Sequence, residues 1–395
     1  MIIRKTQPQE AGRVNELFAI AFEQPMENGP AGEETFEGCH WAAFEDNTGE
    51  MMSTLTVTDF TVNFDGHPCK MGGIGGVATL PAFRRKGGIR GIFQEALPDM
   101  YRNGYVFSYL YPFSTGYYRK FGYENCVRKL SFTVDLGLLS PRKCEGQLAL
   151  AEPGRDLTQA VRMIEHSWER QYNMMVLHGQ EAYRWVGESN PARKQQFTYV
   201  YFDEAGKAQA YTRFHLENQQ DGRNLISDRF FFLNREGFDG LMNLYKSMAS
   251  DHRYVKFTLP ADPAMAYLMP EWSLGAAAWS VMPAGMVRVV NVKKALELAH
   301  YRGSGQAMLQ ISDPQIPENN GTFRVQFEKG CCAAVEKTME KPDLELPVSA
   351  FSALLSGACS MEQGASWMPE VHLKRENPAL DGIFYQKKTY LVDYF

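Results

Sequence analysis

Arg84, Arg85 and Lys86 run directly into Gly87 and Gly88, with Arg90 and Gly91 just beyond, in the stretch LPAFRRKGGIRGIF (80–93). Cationic side chains beside glycines are suited to binding an anion, because glycine lets the backbone come close to the ligand and take positive φ. Three kinds of partner fit that chemistry: nucleic acid, solvent around a charged helix, or the phosphates of a cofactor.

The elements around the cluster favour the third. GGVATL reads as the end of a strand, and after Pro81 the apolar residues Ile89, Ile92, Phe93, Ala96, Leu97 and Met100 recur at helical spacing. A strand, a basic glycine turn and a helix place unpaired backbone N–H groups and the positive end of the helix dipole where an anion would sit. The turn is not GxxxxGK[ST], so it supplies no hydroxyl for Mg²⁺, and GxGxxG is absent as well. What remains is R-x-x-G, here Arg84 to Gly87.

Around this stretch the first 140 or so residues read as a mixed α/β unit. Val14, Leu17, Phe18 and Phe22 mark a helix over 7–22, and EMMSTLTVTDFTVNF a strand that turns at DGH (65–67) into its partner. YVFSYLYP follows Gly104 as a buried strand. Residues 145–285 repeat this order in weaker form. DLTQAVRMIEHSWERQY is a helix, a hairpin crosses Gly206, and a strand, turn, helix and strand follow without the Arg/Gly cluster. From 286 the pattern changes to a small α+β domain, with a hairpin in GTFRVQFEKGCCAAVEK and a helix closed by Gly357. The expected domains are 1–144, 145–285 and 286–395.

The bulk composition bounds the function. With 41 Lys plus Arg against 46 Asp plus Glu the net charge is −5, which argues against a dedicated nucleic-acid binder. No apolar run approaches the roughly 18 residues that span a bilayer, and the N-terminus lacks the pattern of a signal peptide. Seven cysteines, an odd number with no CxxC, read as reduced thiols in a cytoplasmic protein without a metal site.

GGVATLPAFRRKGGIRGIF resembles the pyrophosphate-binding loop of the GNAT superfamily of acetyl-CoA-dependent acyltransferases. GYYRKFGYE (116–124) is similar to the superfamily's second signature. The superfamily loop usually ends in Gly or Ala where this chain has Ile89. With RRKGGIR, that departure is similar to the enhanced intracellular survival (Eis) family of aminoglycoside and lysine acetyltransferases. The resemblance implies two GNAT-like units, the second unable to bind cofactor, and a C-terminal domain like sterol carrier proteins. It also implies acetyl-CoA as cosubstrate, held at Arg84, Arg85, Lys86, Gly87, Gly88, Ile89 and Arg90, and a homo-oligomer, specifically a hexamer.

Acetyl transfer to an amine needs a neutral nucleophile, donors for the developing oxyanion and a proton for the leaving thiolate. The resemblance implies main-chain groups at Val77, Ala78 and Thr79 as donors and Tyr118 as the acid, with Tyr117 and Tyr123 as close competitors. No histidine lies near the cluster, the nearest being His67 in the hairpin turn. The resemblance implies instead the α-carboxylate of Phe395 as base; with an ordinary pKa of about 3.5 it acts through a water or only where desolvation raises it. Phe22, Glu23, Phe36 and Trp41 are the candidates for an acceptor wall. An acidic and aromatic lining favours a small cationic amine or a lysine side chain. The competing reading is a non-catalytic scaffold whose C-terminal domain holds an apolar ligand.

Overall fold

The computed structural model describes residues 1–23, 38–219, 222–269 and 277–394. The first elements are β1 (Ile2–Lys5), α1 (Ala11–Ala21), β2 (Cys39–Phe44), β3 (Met51–Phe64) and β4 (His67–Thr79). Then come α2 (Gly88–Arg102), β5 (Phe107–Leu110), α3 (Thr115–Arg119) and β6 (Glu124–Asn125). The middle of the chain forms β7 (Arg128–Asp135), β8 (Gln147–Leu150), α4 (Thr158–Gln171), α5 (Arg184–Gly187) and α6 (Pro191–Lys194). It continues with β9 (Gln196–Phe202), β10 (Ala208–Gln219), β11 (Gly222–Phe232), α7 (Arg235–Ser247), β12 (Tyr254–Pro260) and β13 (Ala277–Pro283). The last part opens with β14 (Met286–Val289), α8 (Val292–Leu298), β15 (Gly305–Ser312), β16 (Gly321–Glu328) and β17 (Cys331–Thr338). It closes with β18 (Leu344–Pro347), α9 (Val348–Ser356), α10 (Met361–Trp367), β19 (His372–Leu373) and α11 (Ala379–Ile383).

Two compact units result, one of residues 1–126, 285–387 and 393–395, the other of 127–284 and 388–392. The expected bounds followed the sequence repeat, whereas the units follow packing. Residues 127–144, expected with the first domain, lie in the second unit, and most of the C-terminal segment lies in the first.

The first unit carries a seven-stranded sheet in the order β1-β2-β3-β4-β5-β14-β6. Its hairpin turns at Asp65 (φ 50°) and Gly66 (φ 87°), the left-handed pair that suits the twist of two antiparallel strands. The β4–β5 pairing is parallel and runs only from Met71↔Phe107 to Ile74↔Leu110. Beyond Ile74, strand β4 continues without β5, so its main-chain groups on that side are released from the ladder. A bulge coincides with this point, since Thr54 pairs with Ala78 but Thr56 with Gly75. Helix α2 lies on the sheet through Ile92, Phe93, Ala96 and Leu97, all fully buried, as the helical spacing predicts. A second, five-stranded sheet of the same unit runs β17-β16-β15-β18-β19. Helix α9 is buried on nearly every side, and its Ser352 hydroxyl accepts the N–H of Val289 at 2.8 Å. Its apolar residues are buried, as a helical core face requires.

The second unit carries the sheet β13-β7-β12-β11-β10-β9-β8. Read from β8, this is the first sheet repeated, including a short parallel pairing of β11 with β12 over Asn224–Ile226. The strand after β12 in that order is β7, whose counterpart in the first sheet is β14. Each therefore fills the same place in a sheet, between two strands distant from it in sequence. Among the described residues no helix is long and apolar enough to cross a membrane.

Candidate active site

The Arg/Gly cluster of residues 84–90 lines a cavity of about 430 Å³ in the first unit. Arg84, Arg85, Gly87, Gly88, Ile89 and Arg90 form one side and Thr79 and Phe83 another, with Gln94, Tyr117, Lys120, Phe121 and Gln315 completing it. Backbone conformation makes the turn. Arg85 (φ 66°) and Gly87 (φ 87°) are both left-handed, and Gly87 caps α2 without any side chain bonding the first helical N–H groups. Alternating handedness of this kind turns successive N–H groups toward one concavity, and the helix dipole adds positive potential there.

The side chains agree with the backbone. Arg84, Arg85 and Arg90 are exposed, as is Lys120, and no carboxylate among the described residues forms an ion pair with any of them. Four cations thus line one side of a cavity without compensating charge, an arrangement that suits a polyphosphate. Lys86 is directed elsewhere, with its ammonium 4.7 Å from the centre of the Phe83 ring.

Gly88 is there for close packing. A Cβ on it would meet Ser53 Oγ at 2.4 Å and Ser53 Cβ at 3.0 Å. Gly88→Ala is expected to push the start of α2 off β3 and to cost about 1–3 kcal/mol by overpacking. Chemical denaturation with a simultaneous acetyl-CoA titration checks it, since both stability and affinity should fall together. Gly76 plays a similar part on β4, where φ is +55° and a Cβ would meet the Phe18 ring at 2.4 Å. Helix α1 therefore sits against the strand just where β4 leaves β5.

The tyrosines separate clearly. Tyr123 is fully buried and its hydroxyl lies 2.7 Å from Ser108 Oγ, which in turn donates to the Gly72 carbonyl. Burial pushes the Tyr123 phenol up to about 12. Tyr118 on α3 is 2 % exposed and sits among the rings of Phe93, Phe113, Tyr117 and Tyr123, with centroids 5.3–6.4 Å away. Its phenol is raised by burial first and by the neighbouring Tyr117 and Tyr123 next. Tyr117 lines the cavity itself, whereas Tyr118 lies behind it. Both are held by the Phe93–Phe121 stack, 4.3 Å between centroids.

The remaining expected site residues fall in several places. Ala78 is buried on β4 and Val77 half-buried, and neither lines the cavity, whereas Thr79 does and its Oγ1 lies 2.9 Å from Ser53 Oγ. Phe22 and Glu23 are exposed just after α1. Trp41, expected in the acceptor wall, is only 7 % exposed and packs in the core around α2, because its position on β2 faces that helix. Phe36 and Phe395 lie outside the described residues. The chain just before Phe395 is anchored in the first unit: Tyr111 donates its hydroxyl to the Asp393 carbonyl at 2.8 Å and stacks on Tyr394 at 4.6 Å. Lys120 and Gln94 escaped the sequence reading. Lys120 sits inside the second signature and was within reach, whereas Gln94 is one polar residue on a helix with nothing to single it out.

In the second unit the corresponding turn, between β11 and α7, is built differently. Asn234 caps α7 by accepting the Gly237 N–H at 2.8 Å, Glu236 puts a carboxylate in the first turn, and Arg235 is paired to Asp239 at 2.8 Å.

Residues 2–126 match a family described as an acetyltransferase (GNAT) domain, 175–289 a second family of the same description, and 292–391 the sterol carrier protein domain. No curated protein matches the chain. Among solved structures it is similar to a conserved protein of unknown function from Enterococcus faecalis V583, a probable N-acyltransferase. The TM-score is 0.85 at 22 % identity, covering 100 % of this chain and 99 % of that one. A GCN5-related N-acetyltransferase from Anabaena variabilis gives 0.84 at 18 %, and Eis1 from Mycobacterium abscessus 0.79 at 17 %, each covering 100 % of both chains. At these identities the likeness shows a shared fold over the whole length. GNAT domains imply acetyl-CoA as cosubstrate, and the glycine cradle and uncompensated cations fit its pyrophosphate. The chain is an acyltransferase enzyme built from two GNAT acetyltransferase domains followed by a sterol-carrier-protein domain.

Proposed function

We propose that the protein is an Eis-like N-acetyltransferase that acetylates a primary amine of a cationic acceptor, an aminoglycoside, a polyamine or a lysine side chain. The observation that carries this reading is the unpaired set of Arg84, Arg85, Arg90 and Lys120 around the glycine-capped start of α2. Acetyl-CoA supplies the activated acetyl group. The released end of β4, from Val77 to Thr79, offers main-chain donors toward its carbonyl oxygen. Tyr118 holds the proton for the departing sulfur, and burial keeps its phenol neutral at physiological pH. Phe22 and Glu23 belong to the acceptor side, Glu23 contributing negative charge. The active oligomer is a hexamer, as in the family it resembles, and the cysteine usage favours the cytoplasm.

The base in this reading is the α-carboxylate of Phe395, and the support for it is the anchoring of Asp393 and Tyr394 on Tyr111. Removing Phe395 alone puts the new carboxylate one residue away. It is expected to lower kcat about 10²-fold while the Kd for acetyl-CoA stays within threefold. Thiol release with a panel of amines, paired with calorimetry on the truncated chain, tests both halves of that statement. A truncated enzyme with full kcat would remove the C-terminus from the mechanism.

A further inference from the structure

The cavity at the start of α2 is not made by the first GNAT domain alone. Gln315, from the loop that follows β15 in the C-terminal segment, is one of its lining residues. Its side-chain carbonyl oxygen is buried and has no hydrogen-bond partner among the described residues. Buried acceptors are rarely left in this state, and the side chain that carries this one also lines the cavity.

The loop around Gln315 is built to keep it there. Asp313 is fully buried and pairs through both carboxylate oxygens with Arg288 Nη2, at 2.9 Å each, from β14 in the first sheet. The same carboxylate accepts the N–H of Gln315 at 2.9 Å, that of Ile316 at 3.2 Å and the Asn319 amide at 2.9 Å. Asn320 closes the loop by accepting the Asp313 N–H and donating to the Asp313 carbonyl, both at 2.8 Å. Asn319 ties it further to the Val290 carbonyl at 2.8 Å. Ile316 is fully buried in the core of α2. Two prolines, Pro314 and Pro317, narrow what is left of the loop's freedom. A backbone fastened at so many points keeps Gln315 at the cavity and leaves only its side-chain torsions to bring the carbonyl to a ligand.

We propose that Gln315 is a cofactor-binding residue, by which the sterol-carrier-protein domain completes the acetyl-CoA site. Its carbonyl accepts an N–H from the cosubstrate, and this rests on the reading that the cavity holds acetyl-CoA. The cosubstrate carries two kinds of N–H, the pantetheine amides and the adenine amino group. The domain is on this account part of the catalytic unit and not an appendage, which explains why a loop in it is buried against the first domain's core.

The test is calorimetric titration of the full-length protein, wild type against Gln315→Met, a near-isostere without the acceptor. Acetyl-CoA is expected to bind about tenfold more weakly to the variant. Weaker binding of S-acetyl-4′-phosphopantetheine as well, with 3′,5′-ADP unchanged, assigns the bond to a pantetheine amide; the reverse pattern assigns it to adenine. Gln315→Ala repeats the measurement should the methionine variant fold poorly by its melting temperature. Affinity within twofold of wild type, while Arg84→Glu/Arg85→Glu abolishes binding, overturns the role of Gln315 and leaves the cavity reading standing. No binding by the wild type, or undiminished binding by the double arginine variant, overturns both.

Discussion

Reversing the charge at Arg84 and Arg85 is expected to raise the Kd for acetyl-CoA by about 10²- to 10³-fold. Each hydrogen bond to a charged group contributes about 1.5–3 kcal/mol, and solvent screening of these exposed side chains trims the sum. Reversal also replaces attraction by repulsion at the same place, so the effect exceeds that of alanine. Both side chains are exposed and outside every ion pair described, so the fold should not notice. The check is calorimetry alongside a thermal melt: lost affinity at an unchanged Tm. Binding that survived the reversal would mean that the phosphates lie elsewhere. High salt should weaken the wild type and, by screening the introduced repulsion, narrow the gap between it and the double variant.

Tyr118→Phe is expected to lower kcat by about 10²- to 10⁴-fold with acetyl-CoA affinity unaltered, the range for loss of a general acid. The ring stays, so the packing against Phe93, Phe113 and Tyr123 stays with it. Tyr117→Phe is the companion measurement, because Tyr117 lines the cavity and Tyr118 does not. A small effect at Tyr117 beside a large one at Tyr118 is the expected pair; the opposite ordering would transfer the role to Tyr117. The pH profile gives an independent sign. Burial raises the Tyr118 phenol above its ordinary value of 10.0, so the acid form persists through that pH and is lost only above it. The rate should rise with pH as the acceptor amine loses its proton, with no descending limb from Tyr118 below about pH 10.

The parts of the site that were legible in the sequence are those where chemistry and backbone demand coincide within a few residues. The Arg84–Gly88 turn is such a place: charge, positive φ and close packing on Ser53 all fall on adjacent positions. The α2 stripe was equally plain, since Ile92, Phe93, Ala96 and Leu97 are buried by one helix face. Sheet membership was not legible. VRVV at 287–290 and RKLSFTVD at 128–135 both say strand, yet nothing local says that the first joins β5 and β6 while the second joins β12. That choice is made by long-range pairing, and it is why contiguous domain bounds and compact units differ. Trp41 illustrates a different failure. Its residue type suits a ligand wall, but the parity of β2 turns it under α2, and one residue of register decides between the two. Gln315 carried no signal at all, lying more than two hundred residues from the loop it faces, with its role visible only once the cavity is.

The second GNAT domain should be silent toward cofactor, because the Asn234 cap and the Glu236 carboxylate occupy the place where the first domain presents open N–H groups and cations. The most direct test of the central claim is therefore the stoichiometry of acetyl-CoA binding to the wild-type chain by calorimetry. One molecule per chain is the predicted result. Two per chain would contradict the reading of the second domain, and none at millimolar cosubstrate would contradict the assignment of the Arg84–Arg90 cradle itself.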